Sequence, residues 1–254
     1  KIENLSNSQD TQLLQKALNE DSETVDIHHA GTAMRFLTSF YAIQEGRKTI
    51  LTGSERMKQR PIKPLVDALR ELGAEINYLE NEGFPPLEIQ GKKIDKNFVK
   101  IPANISSQFI TSLLLIGASL ENGLEIELQG EITSRSYIKM TLKILKDIGI
   151  ETRFEGNTIK ILSAASSLSN QKLDRHYHSS KIKHYTVESD WSSASYFYSL
   201  VAIGKKKMHL KSFYAHSLQG DSALKEIYLK FFGVNTISDA GENKITLLPD
   251  THFQ

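Results

Sequence analysis

The sequence predicts an α/β fold built from repeated βαβαββ units, and three features carry that expectation. Two helix-length segments share the same apolar steps, a glycine closes each, and the hydrophobic period then drops to two. In the first segment the apolar positions are Ile62, Leu65, Val66, Leu69 and Leu72, closed by Gly73. In the second they are Ile138, Thr141, Leu142, Leu145 and Ile148, closed by Gly149. Steps of three and four put each set on one helix face.

Taken in order, Asp10–Leu18 reads as the second helix of a unit whose beginning is missing. Val25-Asp26-Ile27 and Val99-Lys100-Ile101 read as first strands, and Tyr185-Thr186-Val187 as the first strand of a third unit. Ser/Thr-rich openings at Gly31-Thr32-Ala33, Ser106-Ser107-Gln108 and Ser192-Ser193-Ala194 each precede a short apolar stretch that reads as a buried helix. A second strand follows each, at 48–52, 124–128 and 208–210. The two matched helices come next, then alternating segments at Ala74–Tyr78 and Ile150–Phe154, with closing strands at Leu87–Gln90, Thr158–Leu162 and Ile245–Leu248. In the third unit Leu224, Ile227, Tyr228 and Phe231 keep helical spacing, but Gly233 arrives early. Polar Ser163–His184 reads as a linker, and His176, His178 and His184 within it read as solvated rather than metal-binding.

Composition narrows the function classes. With 254 residues, 31 Lys+Arg against 30 Asp+Glu and a net charge of +1, the chain has no broad cationic field for coating nucleic acid. The absence of Cys excludes disulfides and thiolate metal sites. The apolar runs around 113–118 and 197–203 are too short to span a bilayer, and polar Lys1–Ser22 is no signal peptide. A cytoplasmic protein is expected. A chain that opens at Lys1 without Met and closes on Asp250-Thr251-His252-Phe253-Gln254 is read as a cut through a longer protein.

Three constellations could carry chemistry. In Ala30-Gly31-Thr32-Ala33-Met34-Arg35 a strand gives way to a helix. Gly31 would let a ligand approach the backbone beside free N–H groups, with Arg35 in the first turn. This suits an anion, or equally a capped helix with a structural Arg. In Gly53-Ser54-Glu55-Arg56-Met57-Lys58-Gln59-Arg60-Pro61 one cation could clamp an acidic small molecule, or all could form a solvated face. Ser106, Ser107 and Gln108 at one helix start, and Ser134, Arg135, Ser136 and Tyr137 at another, could cap or could hold a phosphate. Glu188 and Asp190 beside Trp191 read as helix caps. No nucleophile elbow, Walker loop or Rossmann fingerprint occurs. From residues alone the reading ends at a repeat-built protein whose cleft binds a small polyanion.

The same segments, together with Val66-Asp67-Ala68-Leu69, Pro85-Pro86-Leu87 and Asp190 through Phe197, closely resemble the 5-enolpyruvylshikimate-3-phosphate synthases, in matching order along nearly the whole chain. The resemblance implies enolpyruvyl transferase-like βαβαββ units around a pseudo-threefold axis. Residues 1–187 would form most of a shikimate 3-phosphate-binding domain and 188–254 the first unit of a second, incomplete domain. It implies transfer of enolpyruvyl from phosphoenolpyruvate to the 5-hydroxyl of shikimate 3-phosphate, on the way to aromatic amino acids, with no metal or other cofactor. Gly31, Arg56 and Gln108 would contact phosphoenolpyruvate. Ser106, Ser107, Gln108, Ser134 and Tyr137 would contact shikimate 3-phosphate, and Thr32 and Arg35 would support the loop where glyphosate sensitivity is tuned. The family's catalytic Lys, Asp and Glu would fall outside the chain, leaving it inactive alone. Its partners would be the two small-molecule substrates, without nucleic acid or membrane. The whole enzyme would be a monomer, and cut sheet edges could let this chain self-associate. Most relatives carry Asn and Pro where this chain has His29 and Phe36. Competing readings are a stand-alone anion-binding or assembly module of the same fold, and the sister transferase acting on UDP-N-acetylglucosamine, whose cysteine loop has no counterpart here.

Overall fold

A computed structural model describes residues 2–166, 185–239, 241–250 and 252. The chain divides into two compact units, Lys1–Lys181 and Ile182–Gln254. Most of the expected linker, with His176, His178 and His184, lies outside the described residues.

The first unit opens with α1 (Gln9–Asn19), started by Ser8, whose Oγ accepts the Thr11 N–H. Two modules follow. The first comprises β1 (Thr24–Asp26), α2 (Gly31–Ala42), β2 (Lys48–Thr52), the short α3 (Glu55–Lys58), α4 (Lys63–Leu72), β3 (Glu75–Tyr78) and β4 (Leu87–Gln90). The second comprises β5 (Phe98–Pro102), α5 (Ser107–Gly117), β6 (Leu124–Gln129), α6 (Arg135–Asp147), β7 (Thr152–Glu155) and β8 (Thr158–Ile161). Their sheets have the same order, β1-β2-β4-β3 and β5-β6-β8-β7. In each the first pair is parallel, with Asp26 opposite Thr52 and Pro102 opposite Gln129, and the other pairs are antiparallel. Parallel strands need a helical crossover, so α2 and α5 return over their sheets. The helices after β1 and β2 therefore start from one end of the first sheet, and those after β5 and β6 from one end of the second.

The apolar stripes fold as their spacing requires. On α4, Leu65, Val66, Leu69 and Leu72 are fully buried, each contributing roughly 1.5–3 kcal/mol. Gly73 closes the helix at φ 109°, a left-handed turn open to glycine at little cost. On α6, Ile138, Thr141, Leu142 and Leu145 are buried, while Ile148 caps the helix and is 53% exposed. Both α2 and α5 are buried along most of their length. Between them Ser112 Oγ donates to the Arg35 carbonyl at 2.6 Å, so the 2.6 Å contact with Ser39 Oγ has Ser39 as donor.

The second unit contains α7 (Trp191–Gly204), β9 (Met208–Lys211), a 3-10 turn (Gly220–Ala223), α8 (Leu224–Phe232), β10 (Val234–Asp239) and β11 (Lys244–Pro249). Its sheet order, β10-β11-β9, repeats the other two without their first strand. The strand expected at Tyr185-Thr186-Val187 is not formed. Instead Tyr214 Oη donates to the Thr186 carbonyl at 2.6 Å and Ser189 N to the Ser212 carbonyl at 2.7 Å. Ser212 itself has φ 62°, so the backbone bends just past β9, whose outer edge carries no paired strand among the described residues. A 3-10 turn precedes α8, and the early Gly233 closes the helix in a left-handed turn at φ 61°. Trp191, Tyr198, Val234 and Leu247 are fully buried in this unit's core, with Trp191 edge-on to Phe213. Among the described residues no helix is long and apolar enough to cross a membrane.

Candidate functional site

The loop between β1 and α2 and the loop between β2 and α3 interlock. Ser54 N donates to the His28 carbonyl at 3.0 Å. A Cβ added at Gly53 would lie 2.7 Å from that same oxygen, so only glycine fits there. Ser54 caps α3 by accepting the Met57 N–H at 3.3 Å, and its Oγ lies 2.8 Å from His29 Nδ1. His29, Arg56, Met57 and Arg60 line a recess of about 310 Å³.

The three cations of the α3 segment are not equivalent. Lys58 Nζ lies 3.0 Å from Glu80 and 3.3 Å from Glu55, so its charge is compensated. Arg56 and Arg60 have no ion-pair partner among the described residues. Arg60 lies against Gly31 so closely that a Cβ there would sit 2.3 Å from its Nη1. Gly31 is thus the one residue type that lets this guanidinium reach the start of α2, where unpaired N–H groups and the positive end of the helix dipole already favour an anion.

Arg35 faces the other way. It is 5% exposed, donates through Nη1 to the Gly31 carbonyl at 2.9 Å and through Nη2 to the Pro61 carbonyl at 3.2 Å, and lies 5.7 Å from the Phe109 ring. Burial, with help from the Arg60 charge, pushes it down to about 10. Its Nε is buried without a protein partner. This geometry makes Arg35 a tie between two loops rather than a surface clamp.

The second module enters through Gln108, whose Nε2 donates to Thr32 Oγ1 at 3.0 Å. Gly31, Thr32, Arg35, Arg60 and Gln108 are therefore brought together by direct contacts. Ser106 Oγ accepts the Gln108 N–H at the start of α5, and Ser107 stands beside it, half-buried. Ser134 and Tyr137 stand at the start of α6, at the same sheet end as Ser106, but bond directly to none of these residues. The Ser134 hydroxyl caps nothing, and Tyr137 is 48% exposed. Arg135 stacks on Phe154 at 4.9 Å.

In the second unit Glu188 and Asp190 are structural. Glu188 accepts from Trp191 Nε1, Tyr214 N, Ser217 Oγ and Gln219 Nε2. Asp190 caps α7 through the Ser192 and Ser193 N–H groups. Burial opposes ionisation of Asp190, but hydrogen bonds from Ser193 and Ser192 outweigh it and hold the carboxyl below its usual range. Among the described residues no group of three His, Asp or Glu side chains is placed to hold a metal ion.

Sequence reasoning passed over Arg60 and His29 as site residues. The charge run held Arg60 but could not separate it from Lys58, because the carboxylate that occupies Lys58 comes from Glu80, 22 residues on. His29 was marked in the sequence only as a departure from the Asn that most relatives carry there.

The model of the family described as EPSP synthase (3-phosphoshikimate 1-carboxyvinyltransferase) matches residues 2–247. The chain is 46% identical over 239 residues to the 3-phosphoshikimate 1-carboxyvinyltransferase of Bacteroides fragilis, covering 92% of this chain and 54% of that protein. The enzyme of the same name from Haemophilus influenzae is 41% identical over 214 residues, 83% of this chain and 46% of its own. The chain thus spans about half the length of the curated relatives it matches. Among solved structures, the EPSP synthase of Acinetobacter baumannii superimposes with a TM-score of 0.61 at 20% identity, over 89% of this chain and 48% of that one, which shows the enolpyruvyl transferase fold. A family match running from residue 2 to residue 247, over two modules of identical strand order, makes this chain a member of the EPSP synthase (3-phosphoshikimate 1-carboxyvinyltransferase) family.

Proposed function

We propose that the chain supplies substrate-binding surface to a cytoplasmic 3-phosphoshikimate 1-carboxyvinyltransferase. That enzyme moves the enolpyruvyl group of phosphoenolpyruvate to the 5-hydroxyl of shikimate 3-phosphate and releases phosphate. Gly31, Arg56 and Gln108 contact phosphoenolpyruvate, joined by Arg60. Ser106, Ser107, Gln108, Ser134 and Tyr137 hold shikimate 3-phosphate, and Thr32 and Arg35 brace the first loop. In domain terms 1–187 is most of the shikimate 3-phosphate domain and 188–254 begins the second.

One observation carries the reading. Two arginines without ion-pair partners among the described residues border a recess at the start of α2, while the lysine between them is neutralised. A planar guanidinium matches the paired oxygens of a carboxylate or phosphate, and two together suit a ligand carrying both. The hydroxyls at the starts of α5 and α6 add donors for a second phosphate beside free helix amides.

Transfer also requires a proton delivered to the vinyl carbon and one removed from the attacking hydroxyl. Glu188 and Asp190, the acidic residues just before α7, are engaged in hydrogen bonds of their own. We therefore assign binding, not turnover, to these 254 residues.

Titrating shikimate 3-phosphate while following amide chemical shifts tests this. Shifts near Ser106 and Tyr137, saturating by about millimolar ligand, are expected. No change at that concentration overturns the assignment, and phosphate release from the two substrates by this chain overturns the assignment of binding alone.

A further inference from the structure

His29 shares the recess with Arg56 and Arg60, and its Nδ1 is engaged by Ser54 Oγ. Ser54 Oγ already accepts the Met57 N–H, so its own hydroxyl hydrogen is free to point at His29 Nδ1, 2.8 Å away. In the neutral tautomer protonated on Nε2, Nδ1 accepts that hydrogen. When the ring becomes an imidazolium, Nδ1–H donates to the second lone pair of Ser54 Oγ and the hydroxyl hydrogen turns outward. The ring need not move. Nε2 keeps its hydrogen in both states, and only the charge changes.

We propose that His29 is a third anion contact in this recess, an Nε2–H donor whose protonation sets how tightly the site holds a multiply charged oxyanion. The proposal rests on the reading that the recess takes the phosphate or carboxylate of phosphoenolpyruvate. The groups around the ring come from three segments. From its own loop, His28 lies with ring centroids 4.4 Å apart, and Asp26 is turned onto the His28 N–H at 2.8 Å. From α3, Arg56 lines the recess, while Glu55 is drawn to Lys58. Arg60 comes from the turn after α3. A bound dianion favours the imidazolium, so uptake of the anion and uptake of a proton are linked.

Inorganic sulfate is the probe, because it keeps its double charge through the range in which a histidine titrates. Binding to the full 254-residue chain is measured by titration calorimetry from about pH 5.5 to about pH 8. We expect sulfate to bind about five-fold tighter at the acid end. His29→Gln and His29→Asn, checked for native circular dichroism, should bind with no pH dependence and keep the affinity of the alkaline end within about two-fold. His28→Gln should keep the full dependence. A flat profile in the unaltered chain, or a dependence that survives both His29 variants, overturns the role of His29 and leaves the recess reading standing. No sulfate binding at all, or binding unchanged in Arg56→Ala and Arg60→Ala, overturns the recess reading and this proposal with it.

Discussion

Gln108 and Thr32 join the first turns of two helices that belong to different modules, through a single hydrogen bond of 3.0 Å from Nε2 to Oγ1. The two sheets carry no strand in common. The helix starts are held in line by contacts between α2 and α5, together with those of α4 on β5 and α5; this hydrogen bond joins the first turns, and the Ser39–Ser112 pair is a buried one.

A double-mutant cycle on Gln108→Ala and Thr32→Ala should show a coupling of about 0.5–1.5 kcal/mol in urea denaturation followed by far-ultraviolet circular dichroism. Either single change should also weaken shikimate 3-phosphate binding. Strict additivity would mean that the two helix starts are aligned by other contacts.

Gly31→Ala and Gly53→Ala should separate binding from stability. At Gly31 the new methyl meets the tip of the flexible Arg60 side chain, which can swing away. Stability should change by less than about 1 kcal/mol while oxyanion affinity drops about ten-fold, the worth of one charge-assisted contact. At Gly53 the methyl meets the His28 carbonyl, which cannot. There a loss of about 1–3 kcal/mol is expected. Thermal unfolding and sulfate titration on the same samples check both.

Arg35→Ala should cost about 3 kcal/mol or more, because the Gly31 and Pro61 carbonyls lose a charged donor and a cavity opens beside Met57. Arg35→Lys should recover only part, since a single ammonium does not reproduce the planar two-nitrogen fork. Denaturant midpoints of the three forms give the comparison.

Alkali should loosen the second unit. Burial pushes the Tyr198 hydroxyl up to about 12 from 10.0, despite a hydrogen bond with Thr236 at 2.6 Å. The unfolded chain therefore loses this proton before the folded one does. The stabilisation is whole below about pH 10 and is lost as pH rises toward about 12. In the first unit burial raises Tyr78 in the same way, but burial also lowers Arg35 to about 10 from 12.5. A lowered base makes folding easier as pH rises through that interval, so Arg35 offsets part of the loss. The single tryptophan, Trp191, lies in the second unit and reports on it alone. Its fluorescence should show a steep fall in urea midpoint above about pH 10, and Tyr198→Phe should flatten that fall.

Glu188→Ala should destabilise the second unit by about 2–4 kcal/mol, by leaving the Trp191 Nε1–H and the Tyr214 N–H without their acceptor. Glu188→Gln should lose less. Trp191 fluorescence in urea distinguishes them.

The repeats were legible because periodicity and helix stops are local. The apolar steps of α4 and α6, with Gly73 and Gly149 behind them, follow from 3.6 residues per turn and from the left-handed turn that glycine allows. Gly31, Thr32, Arg35, Arg56, Ser106 and Gln108 were legible as the contents of helix starts. The failures were tertiary. Tyr185-Thr186-Val187 has strand-like residues, but the segment is held by the Tyr214 hydroxyl on the Thr186 carbonyl rather than by a strand ladder. The distinction between Lys58 and Arg60 depends on Glu80 and Gly31, residues far along the chain from each. Spacing alone could not show that Arg35, in the same hexapeptide as Gly31, points into the protein.

The neutralisation of Lys58 by Glu55 and Glu80 also bears on kinetics. With that ammonium compensated, the cations left at the recess are the Arg56 and Arg60 guanidiniums, and on the proposed reading they would draw a diffusing dianion to the recess instead of smearing it over a charged stripe. Such guidance works only within about a Debye length, near 10 Å at 0.1 M salt. Capture should therefore slow with ionic strength more steeply than release quickens, so that added salt would be felt first in how fast the ligand arrives.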